Sequence, residues 1–285
     1  MATGERITMA ALGERKRAGQ KFSVLTCYDA PTARLMDQAG VEVLLVGDTS
    51  GEVVLGLSST REVPVEYLLA ITAAVRRGAQ RAYVLADLPY ACRVEGDPAA
   101  VHWARRFMAE TGCDGVKVEL TPGQAELVRA MSGAGVPVVA HIGLLPQLLR
   151  PGEPYRGQAR DAAGAEKLIR AAREMEAAGA VCLLLEAVAS EVAREIAEGT
   201  DLPVIGCVAG PHCDGTVVVL HDLLGWGGGH PPRLVQPYAD LAAVMGAAFA
   251  AYARDVREGR FPTEAGSIHM RPGELDKLRA ATGAG

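Results

Sequence analysis

Residues 44–51 read LLVGDTSG, a run of aliphatic residues that ends abruptly in a carboxylate and two hydroxyls. Near-continuous apolar runs are typical of strands buried on both faces of a parallel sheet. The polar ending has two interpretations. Asp48 could simply cap the next helix, because Asp is a favoured N-cap residue. Alternatively, the strand could deliver Asp48, Thr49 and Ser50 to a site at the edge of the sheet.

Seven further segments of the same kind follow or precede this one, separated by longer Ala-rich segments with helical periodicity. Such alternation is typical of βα units around a parallel sheet. An open doubly wound sheet is the alternative, but it would need a Gly-rich phosphate loop after the first strand, and TCYDAPTA (26–33) is unlike one. The predicted strands are residues 22–29, 41–48, 81–89, 115–120, 137–143, 180–188, 202–210 and 216–225.

Eight βα units predict an α/β fold, a single (β/α)8 TIM barrel, over residues 1–262 with an N-terminal helix. Residues 263–285 are predicted to form a flexible tail, because they are rich in Gly and charge. The segments 144–164 and 225–238 are long and rich in Pro and Gly, which favours lids or binding loops. A typical predicted helix covers 163–179. Gly residues at 40, 112, 135 and 179 are placed as helix stops.

Composition excludes several classes of protein. The 285 residues are 49% apolar and carry a formal net charge of −5 with no basic patch, which argues against nucleic acid. No apolar run is long enough to span a membrane, and the N-terminus lacks the apolar region of a signal peptide, so we expect a cytoplasmic protein. The six cysteines are scattered, which favours reduced, buried thiols over a zinc site or disulfides.

Polar residues end almost every predicted strand. Any one of them could be a helix cap, but a barrel brings the carboxyl ends of all its strands into one ring, where barrel active sites lie. We therefore expect a shared site. The residues at these endings are Asp29, Asp48 with Thr49 and Ser50, Asp87, Lys117 with Glu119, His141, Glu186, and His221 with Asp222.

This mixture of side chains has chemical content. Carboxylates crowded in a low-dielectric mouth repel one another unless a cation binds, and oxygen ligands suit Mg²⁺ or a similar hard ion. Lys117 and Glu119 are two apart on a strand and so share a face; the alternative to a functional role is an ion pair inside the barrel. Glu186 follows an apolar run directly and could serve as a general base, or pair as a loop residue with a neighbouring Arg.

At this point the ordered segments point to a family. LLVGDTSG (44–51), LADLPY (85–90), GVKVE (115–119), HIGLLPQ (141–147) and HDLLG (221–225), with TAAVRRGA, LLLEAV and LPVIG between them, resemble the ketopantoate hydroxymethyltransferases. The resemblance covers roughly residues 20–262. It implies a (β/α)8 barrel of the phosphoenolpyruvate-binding superfamily that assembles as a homo-oligomer, typically a decamer.

The resemblance also implies a reaction. Members of that family transfer a hydroxymethyl group from 5,10-methylenetetrahydrofolate, a folate co-substrate, to the 2-oxo acid 3-methyl-2-oxobutanoate, on the pantothenate pathway. Carried over by motif, Asp48, Asp87 and Glu119 would be the Mg²⁺ ligands, Glu119 directly or through water. Thr49, Lys117 and His141 would contact the 2-oxo acid together with the metal-binding carboxylates. Glu186 would be the catalytic base that removes the proton beside the ketone.

The match weakens around the substrate positions. Thr49 stands where the family has Ser, Gln236 where it usually has Lys, and residues 152–160, 186–189 and 206–210 depart from its usual pattern. Three hypotheses stay open: the family's own reaction, a related hydroxymethyl- or aldol-type transferase on a different 2-oxo acid, and a non-catalytic paralogue. A lyase is a lesser variant of the second. The third is disfavoured, because a chain released from catalysis has no reason to keep all the metal and base positions.

Overall fold

The strands of this computed structural model, which describes residues 5–150, 153–227 and 235–283, form a closed parallel barrel. Each strand pairs with the next in chain order, and β8 closes the ring against β1. All eight predicted strands are confirmed. The strands are β1 (Phe22–Thr26), β2 (Val43–Val46), β3 (Tyr83–Asp87), β4 (Gly115–Glu119), β5 (Val138–Gly143), β6 (Cys182–Glu186), β7 (Val204–Cys207) and β8 (Gly215–Val218).

Most observed strands are shorter than predicted, because several of the polar endings belong to turns and short helices. The largest difference is at the last strand, predicted over 216–225. It ends at Val218, and Leu220–Leu223 form a one-turn helix instead. Four short 3-10 helices occur at Thr60–Glu62, Tyr90–Arg93, Pro146–Leu148 and Glu264–Gly266.

The α-helices begin with one segment before the barrel and continue between and after the strands. They are α1 (Met9–Arg17), α2 (Ala30–Ala39), α3 (Ser50–Val53), α4 (Val65–Gly78), α5 (Asp97–Thr111), α6 (Ala125–Gly133), α7 (Ala162–Ala177), α8 (Ser190–Glu198), α9 (Leu220–Leu223), α10 (Leu241–Arg257) and α11 (Glu274–Thr282).

Helix α7 shows how the sequence sets these boundaries. Asp161 caps it by accepting a hydrogen bond from the Gly164 amide at 2.7 Å, and its apolar stripe packs Leu168, Ala172 and Met175 against the barrel. The chain then turns at Gly179, whose φ of 100° is left-handed and favours glycine. The helix predicted over 163–179 is therefore confirmed.

Apolar residues fill two separate regions. One lies between the outer face of the strands and the helices around them. The other fills the lower interior of the barrel, where Phe22, Tyr83 and Ile205 pack together, and α1 closes that end with the fully buried Leu12. The polar side chains are left to the opposite, carboxyl end of the strands.

Helix α10 differs from the helices that pack on the barrel. None of its residues is buried, and Val244, Phe249 and Tyr252 are each more than 60% exposed. Beyond it, α11 is almost wholly exposed as well. The flexibility of the tail stays a prediction.

Within the described residues, no helix is long and apolar enough to cross a membrane. The cytoplasmic location stays a prediction too.

Candidate active site

A cavity of about 680 Å³ opens at the carboxyl ends of the strands. Every candidate site residue that the sequence analysis singled out for a role lines it. These residues are Asp48, Thr49, Asp87, Lys117, Glu119, His141 and Glu186.

Strand register explains why four of these side chains meet. Asp87 on β3 is aligned with Lys117 on β4, and Glu119 is aligned with His141 on β5. Side chains two apart on a strand share a face, so Lys117 and Glu119 both point into the barrel. The period of the strands thus converts positions far apart in sequence into one cluster.

Lys117 is the central cation of the cluster. Its Nζ lies 2.6 Å from Asp87 Oδ1, and both side chains are almost fully buried. Burial alone would lower the pKa of the ammonium group, but Asp87, Asp48 and Glu119 together outweigh that effect and raise it. Lys117 thus forms an ion pair inside the barrel, but its partner is Asp87 of the neighbouring strand rather than Glu119.

Asp48 lies close to the carboxylate of Asp87. Its backbone amide donates to Asp87 Oδ2 at 3.0 Å, so the two carboxyl groups are held close together. Burial, followed by the charge of Asp87, raises the pKa of Asp48 to about 8 despite the neighbouring Lys117. Glu119 experiences similar electrostatic effects. Burial raises the pKa of its carboxyl group well above the ordinary value, and the charges of Asp48 and Asp87 raise it further.

His141 connects Lys117 to Glu186. Its Nδ1 is 3.3 Å from Lys117 Nζ, and its Nε2 is 3.3 Å from Glu186 Oε2. Burial, with help from Lys117, lowers the pKa of the imidazole, so the ring is neutral. Because the ammonium group can only donate, Nδ1 accepts and the proton is assigned to Nε2, where it faces the Glu186 carboxylate.

Glu186 is the most accessible carboxylate of the connected cluster. Its side chain is 16% exposed, compared with 2% for Glu119 and 3% for Asp87. It ends β6 and projects into the cavity beside Cys207. A group that exchanges protons with a bound molecule needs this access, which Asp87 and Glu119 have to a much smaller extent.

The carboxylates of the cavity could bind a divalent cation only with help from water or substrate. Among the described residues, no three His, Cys, Asp or Glu side chains converge closely enough to form a metal site by themselves. Mg²⁺, however, usually takes only one or two carboxylates and completes its shell with water and substrate oxygens. Asp48 and Asp87 supply such a pair, and a bound cation would offset both the burial of Asp48 and the charge of Asp87, the two causes that raise the pKa of Asp48. The residues therefore fit a divalent cation.

Three residues of the polar endings, Asp29, Ser50 and His221, lie outside the cavity lining. Ser50 is fully buried at the start of α3. Asp29 is an N-cap, accepting a hydrogen bond from the Thr32 amide at 2.8 Å, so the capping interpretation holds for it. His221 is buried in α9 and stacks on Trp226 with 4.6 Å between ring centroids. Asp222, its neighbour, does line the cavity.

Two other residues of the site were missed. Thr26 lines the cavity, and its hydroxyl accepts a hydrogen bond from the Leu220 amide at 2.8 Å. Gln147 is fully buried behind the carboxylates, and its side chain donates to Asp48 Oδ2 at 2.8 Å. Gln147 is the last residue of HIGLLPQ (141–147), one of the segments that carry the family resemblance, but no role was assigned to it.

The described part of the first long loop lies over the cavity. The Gln158 amide donates to the Ala187 carbonyl at 2.7 Å, and the Ala189 amide donates to the Gln158 carbonyl at 3.1 Å. This clip brings Tyr155, Arg156 and Arg160 to the rim. Residues 151–152, and half of the second long loop, at 228–234, lie outside the described residues.

The six cysteines are free thiols, as predicted, and five of them are buried. Burial raises the pKa of Cys27 and Cys92 to about 12, so neither is a nucleophile at neutral pH. Cys207 is half-buried at the cavity, and burial raises its pKa further.

Curated proteins that share one enzyme name are similar to this chain over nearly its whole length. The chain is 43% identical over 279 residues to the 3-methyl-2-oxobutanoate hydroxymethyltransferase of Hyperthermus butylicus, covering 98% of this chain and 96% of that protein. It is 40% identical to the enzyme of the same name from Carboxydothermus hydrogenoformans, covering 96% and 99%.

Solved structures show the same fold at low identity. The barrel superposes on 2,3-dimethylmalate lyase, a member of the PEP mutase/isocitrate lyase superfamily, with a TM-score of 0.58 and 17% identity over 98% of this chain and 100% of that one. The predicted (β/α)8 TIM barrel is confirmed. The family model for ketopantoate hydroxymethyltransferase matches residues 6–264. The chain therefore belongs to the ketopantoate hydroxymethyltransferase family and is an enzyme of the hydroxymethyltransferase class.

Proposed function

We propose that this protein forms ketopantoate by transferring a hydroxymethyl group from 5,10-methylenetetrahydrofolate to 3-methyl-2-oxobutanoate with the help of a divalent cation, Mg²⁺ or a similar ion. The observation that carries the proposal is the connected line Asp87–Lys117–His141–Glu186 at the base of the cavity. It combines a fixed cation with an accessible carboxylate. That pairing suits the removal of a proton beside a ketone.

Asp48 and Asp87 would hold the cation, with Glu119 close enough to contribute directly or through water. When bound, the ion would supply Lewis-acid polarisation of the ketone oxygen. Thr49, at the start of α3, lines the same part of the cavity and would contact the acid's carboxylate.

Three side chains of the protein have separate roles in the removal of the proton. Glu186 accepts the proton from the carbon beside the ketone, and His141 Nε2 lies 3.3 Å from Glu186 Oε2, close to the carboxylate that takes up this proton. The ammonium group of Lys117 stabilises the negative charge that develops on the substrate oxygen, in a buried setting where such an interaction is strong. The deprotonated carbon forms a C–C bond to the methylene carbon of the donor. Both C–N bonds of that methylene group break, water supplies the hydroxyl oxygen, and tetrahydrofolate leaves with its two nitrogens restored.

The size of the cavity supports a second, larger ligand. A volume of about 680 Å³ is typical of a pocket for a drug-sized molecule and far exceeds what a five-carbon acid needs. Tyr155, Arg156 and Arg160 lie on the rim contributed by the clipped loop. The folate donor would occupy this outer part, with the acid below it.

Hydrogen–deuterium exchange tests the proposal without the donor. Purified protein would be incubated in heavy water with Mg²⁺ and each of a panel of 2-oxo acids, and proton NMR would follow loss of the signal beside the ketone. Exchange of 3-methyl-2-oxobutanoate that disappears in Glu186→Gln supports the proposal. Exchange confined to another acid would instead support a transferase for that acid, which the extra methyl group of Thr49 at the cavity favours. No exchange with any acid, with or without a folate present, would refute the enolisation step.

We also propose that the protein works as a homo-oligomer in which α10 packs on a second copy of the chain. The support is the apolar surface of α10, a 17-residue helix without a buried residue. Burial of such a surface in a second copy is favourable because it removes apolar area from water. Light scattering coupled to size exclusion should show an oligomer that Phe249→Asp dissociates. A monomeric wild type would contradict this part of the proposal.

A further inference from the structure

Gln147 makes an unusual set of contacts for a loop residue. It lies in the 3-10 helix Pro146–Leu148 after β5 and is fully buried, yet it does not line the cavity. Its side-chain nitrogen donates to Asp48 Oδ2 at 2.8 Å and to the Leu88 carbonyl at 3.0 Å. Its backbone amide donates to Glu119 Oε2 at 3.1 Å.

These hydrogen bonds fix the orientation of two carboxylates. Asp48 follows β2 and Glu119 ends β4, so a single residue beyond β5 holds side chains from two other strands. A carboxylate with one oxygen tied to a rigid donor cannot rotate freely, and the direction of its second oxygen is therefore set as well. A carboxyl oxygen can accept such a hydrogen bond in either protonation state, so the restraint does not depend on ionisation.

Burial of this amide is not explained by stability alone. Among the described residues, Gln147 Oε1 has no hydrogen-bond partner although it is buried. A buried polar atom without a partner costs about 1–3 kcal/mol, and an apolar side chain of the same volume would avoid that loss. A requirement to hold the carboxylates gives the amide a reason to be there.

We infer that Gln147 is a positioning residue that sets Asp48 and Glu119 in the geometry needed to bind a divalent cation. The inference rests on the proposed function, because it assumes that these carboxylates are the cation's ligands. Gln147 acts from behind them and touches neither the cation nor the substrate. Residues of this kind commonly change metal affinity by about 10–100-fold when they are replaced.

Gln147→Met is the sharpest test. Methionine keeps the volume and the backbone amide but removes both side-chain hydrogen bonds. Gln124→Met is the matched control: it also removes hydrogen bonds, from the Thr121 amide and from Arg93, but it touches no carboxylate side chain of the cavity. Free Mn²⁺ would be titrated by electron paramagnetic resonance in the absence of substrate. Thermal unfolding would be recorded alongside.

We expect Gln147→Met to weaken Mn²⁺ binding by about 10–100-fold and Gln124→Met to leave it unchanged. Gln147→Asn, whose amide is one methylene too short to reach Asp48, should show the same weakening and serves if the Met variant does not fold. Equal Mn²⁺ affinity in wild type and both Gln147 variants would overturn the inference. It would leave standing the proposal that the protein binds a divalent cation. If the wild type itself binds no Mn²⁺, the proposed cation fails, and this inference fails with it.

Discussion

The lower and upper halves of the barrel interior are built from the same strands but bury opposite kinds of side chain, apolar in the lower half and charged in the upper half. The lower half contains side chains such as Phe22, Ile205 and Leu12, and its contacts are apolar. The upper half buries Lys117 and Asp87 a few residues further along the strands. Buried charges are expensive unless they are paired, so the upper half loses stability that the lower half supplies. The difference shows which part of the interior is shaped by folding and which by chemistry.

Backbone strain follows the same division. Three residues other than glycine have left-handed φ angles in the described chain, namely Ala159, Ala187 and Val208. Ala187 and Val208 directly follow β6 and β7, and Ala159 lies in the loop clipped above them. All three are on the carboxyl side of the barrel. Strained backbone tends to persist at functional sites, because the surrounding structure holds it there.

The largest expected effect is that of Glu186→Gln on rate. The variant keeps the shape of the side chain but cannot accept the proton, and loss of a general base typically slows a reaction roughly 10²–10⁴-fold. We expect that loss in the exchange rate of the 2-oxo acid, with little change in the free energy of unfolding. Exchange measured by NMR and urea denaturation would provide the two numbers.

Glu166→Gln is the matched control, because Glu166 lies on α7, remote from the cavity, and is 77% exposed. It should change neither rate nor stability. A Glu186→Gln variant that exchanges as fast as wild type would remove Glu186 from the role of base.

The second prediction concerns the lower half of the barrel interior, where a substitution should reduce stability and leave the reaction rate unchanged. Leu12 on α1 is fully buried and closes the end of the barrel. Leu12→Ala should lower the free energy of unfolding by about 2–5 kcal/mol through lost burial and the cavity left behind. The folded fraction should keep the kcat and KM of the wild type.

Leu35→Ala provides the comparison, since Leu35 is 67% exposed and its truncation should change stability very little. Denaturation curves and steady-state kinetics on the same samples would show both. A Leu12 variant that is as stable as wild type but inactive would contradict the conclusion that the lower half of the interior serves stability and the upper half serves the chemistry.

The third effect concerns the charge of Asp48 in the metal-free protein. Burial and Asp87 raise the pKa of this carboxyl to about 8 in the folded state, whereas an unfolded Asp has a pKa of about 3.9. Between those values the folded state holds a proton that the unfolded state has lost. Stability therefore falls as pH rises from about 4 to about 8, and levels off above.

Asp48→Asn lacks that proton-linked loss. In the presence of a chelator, we expect the variant to be more stable than wild type, with a gap that widens across this window and reaches at least about 1.4 kcal/mol, the equivalent of one pKa unit. Urea denaturation at a series of pH values would measure it. A gap that stays constant with pH, or one that favours the wild type, would show that Asp48 is ionised in the folded protein throughout.

The division of the interior also explains what the sequence could predict. The strands and their polar endings were readable because alternation along a strand and the convergence of strand ends follow from backbone geometry alone. His221 was wrongly grouped with them, because its burial depends on stacking with Trp226, which no local pattern encodes. Gln147 was missed for a related reason: its partners Asp48 and Glu119 are distant in sequence, and only the folded barrel brings them together.

The smallest expected effect is the release of strain at Val208. Its φ of 54° is unfavourable for a β-branched residue, and its side chain is 37% exposed, so little burial compensates. Val208→Gly removes the steric conflict, although the unfolded chain gains freedom that opposes it by about 0.5–1 kcal/mol. We expect a net increase in the free energy of unfolding of up to about 1 kcal/mol, since such strain is typically worth about 1–3 kcal/mol.

Val54→Gly is the matched control, because Val54 is 49% exposed with an ordinary φ of −111°. That variant has no strain to release and should lose about 0.5–1 kcal/mol. Differential scanning calorimetry of the two variants measures the contrast directly. If both are destabilised equally, the left-handed turn after β7 is not strained. If Val208→Gly is stabilised but raises the KM of a substrate, the strain is retained because the Val208 side chain contacts what the cavity binds.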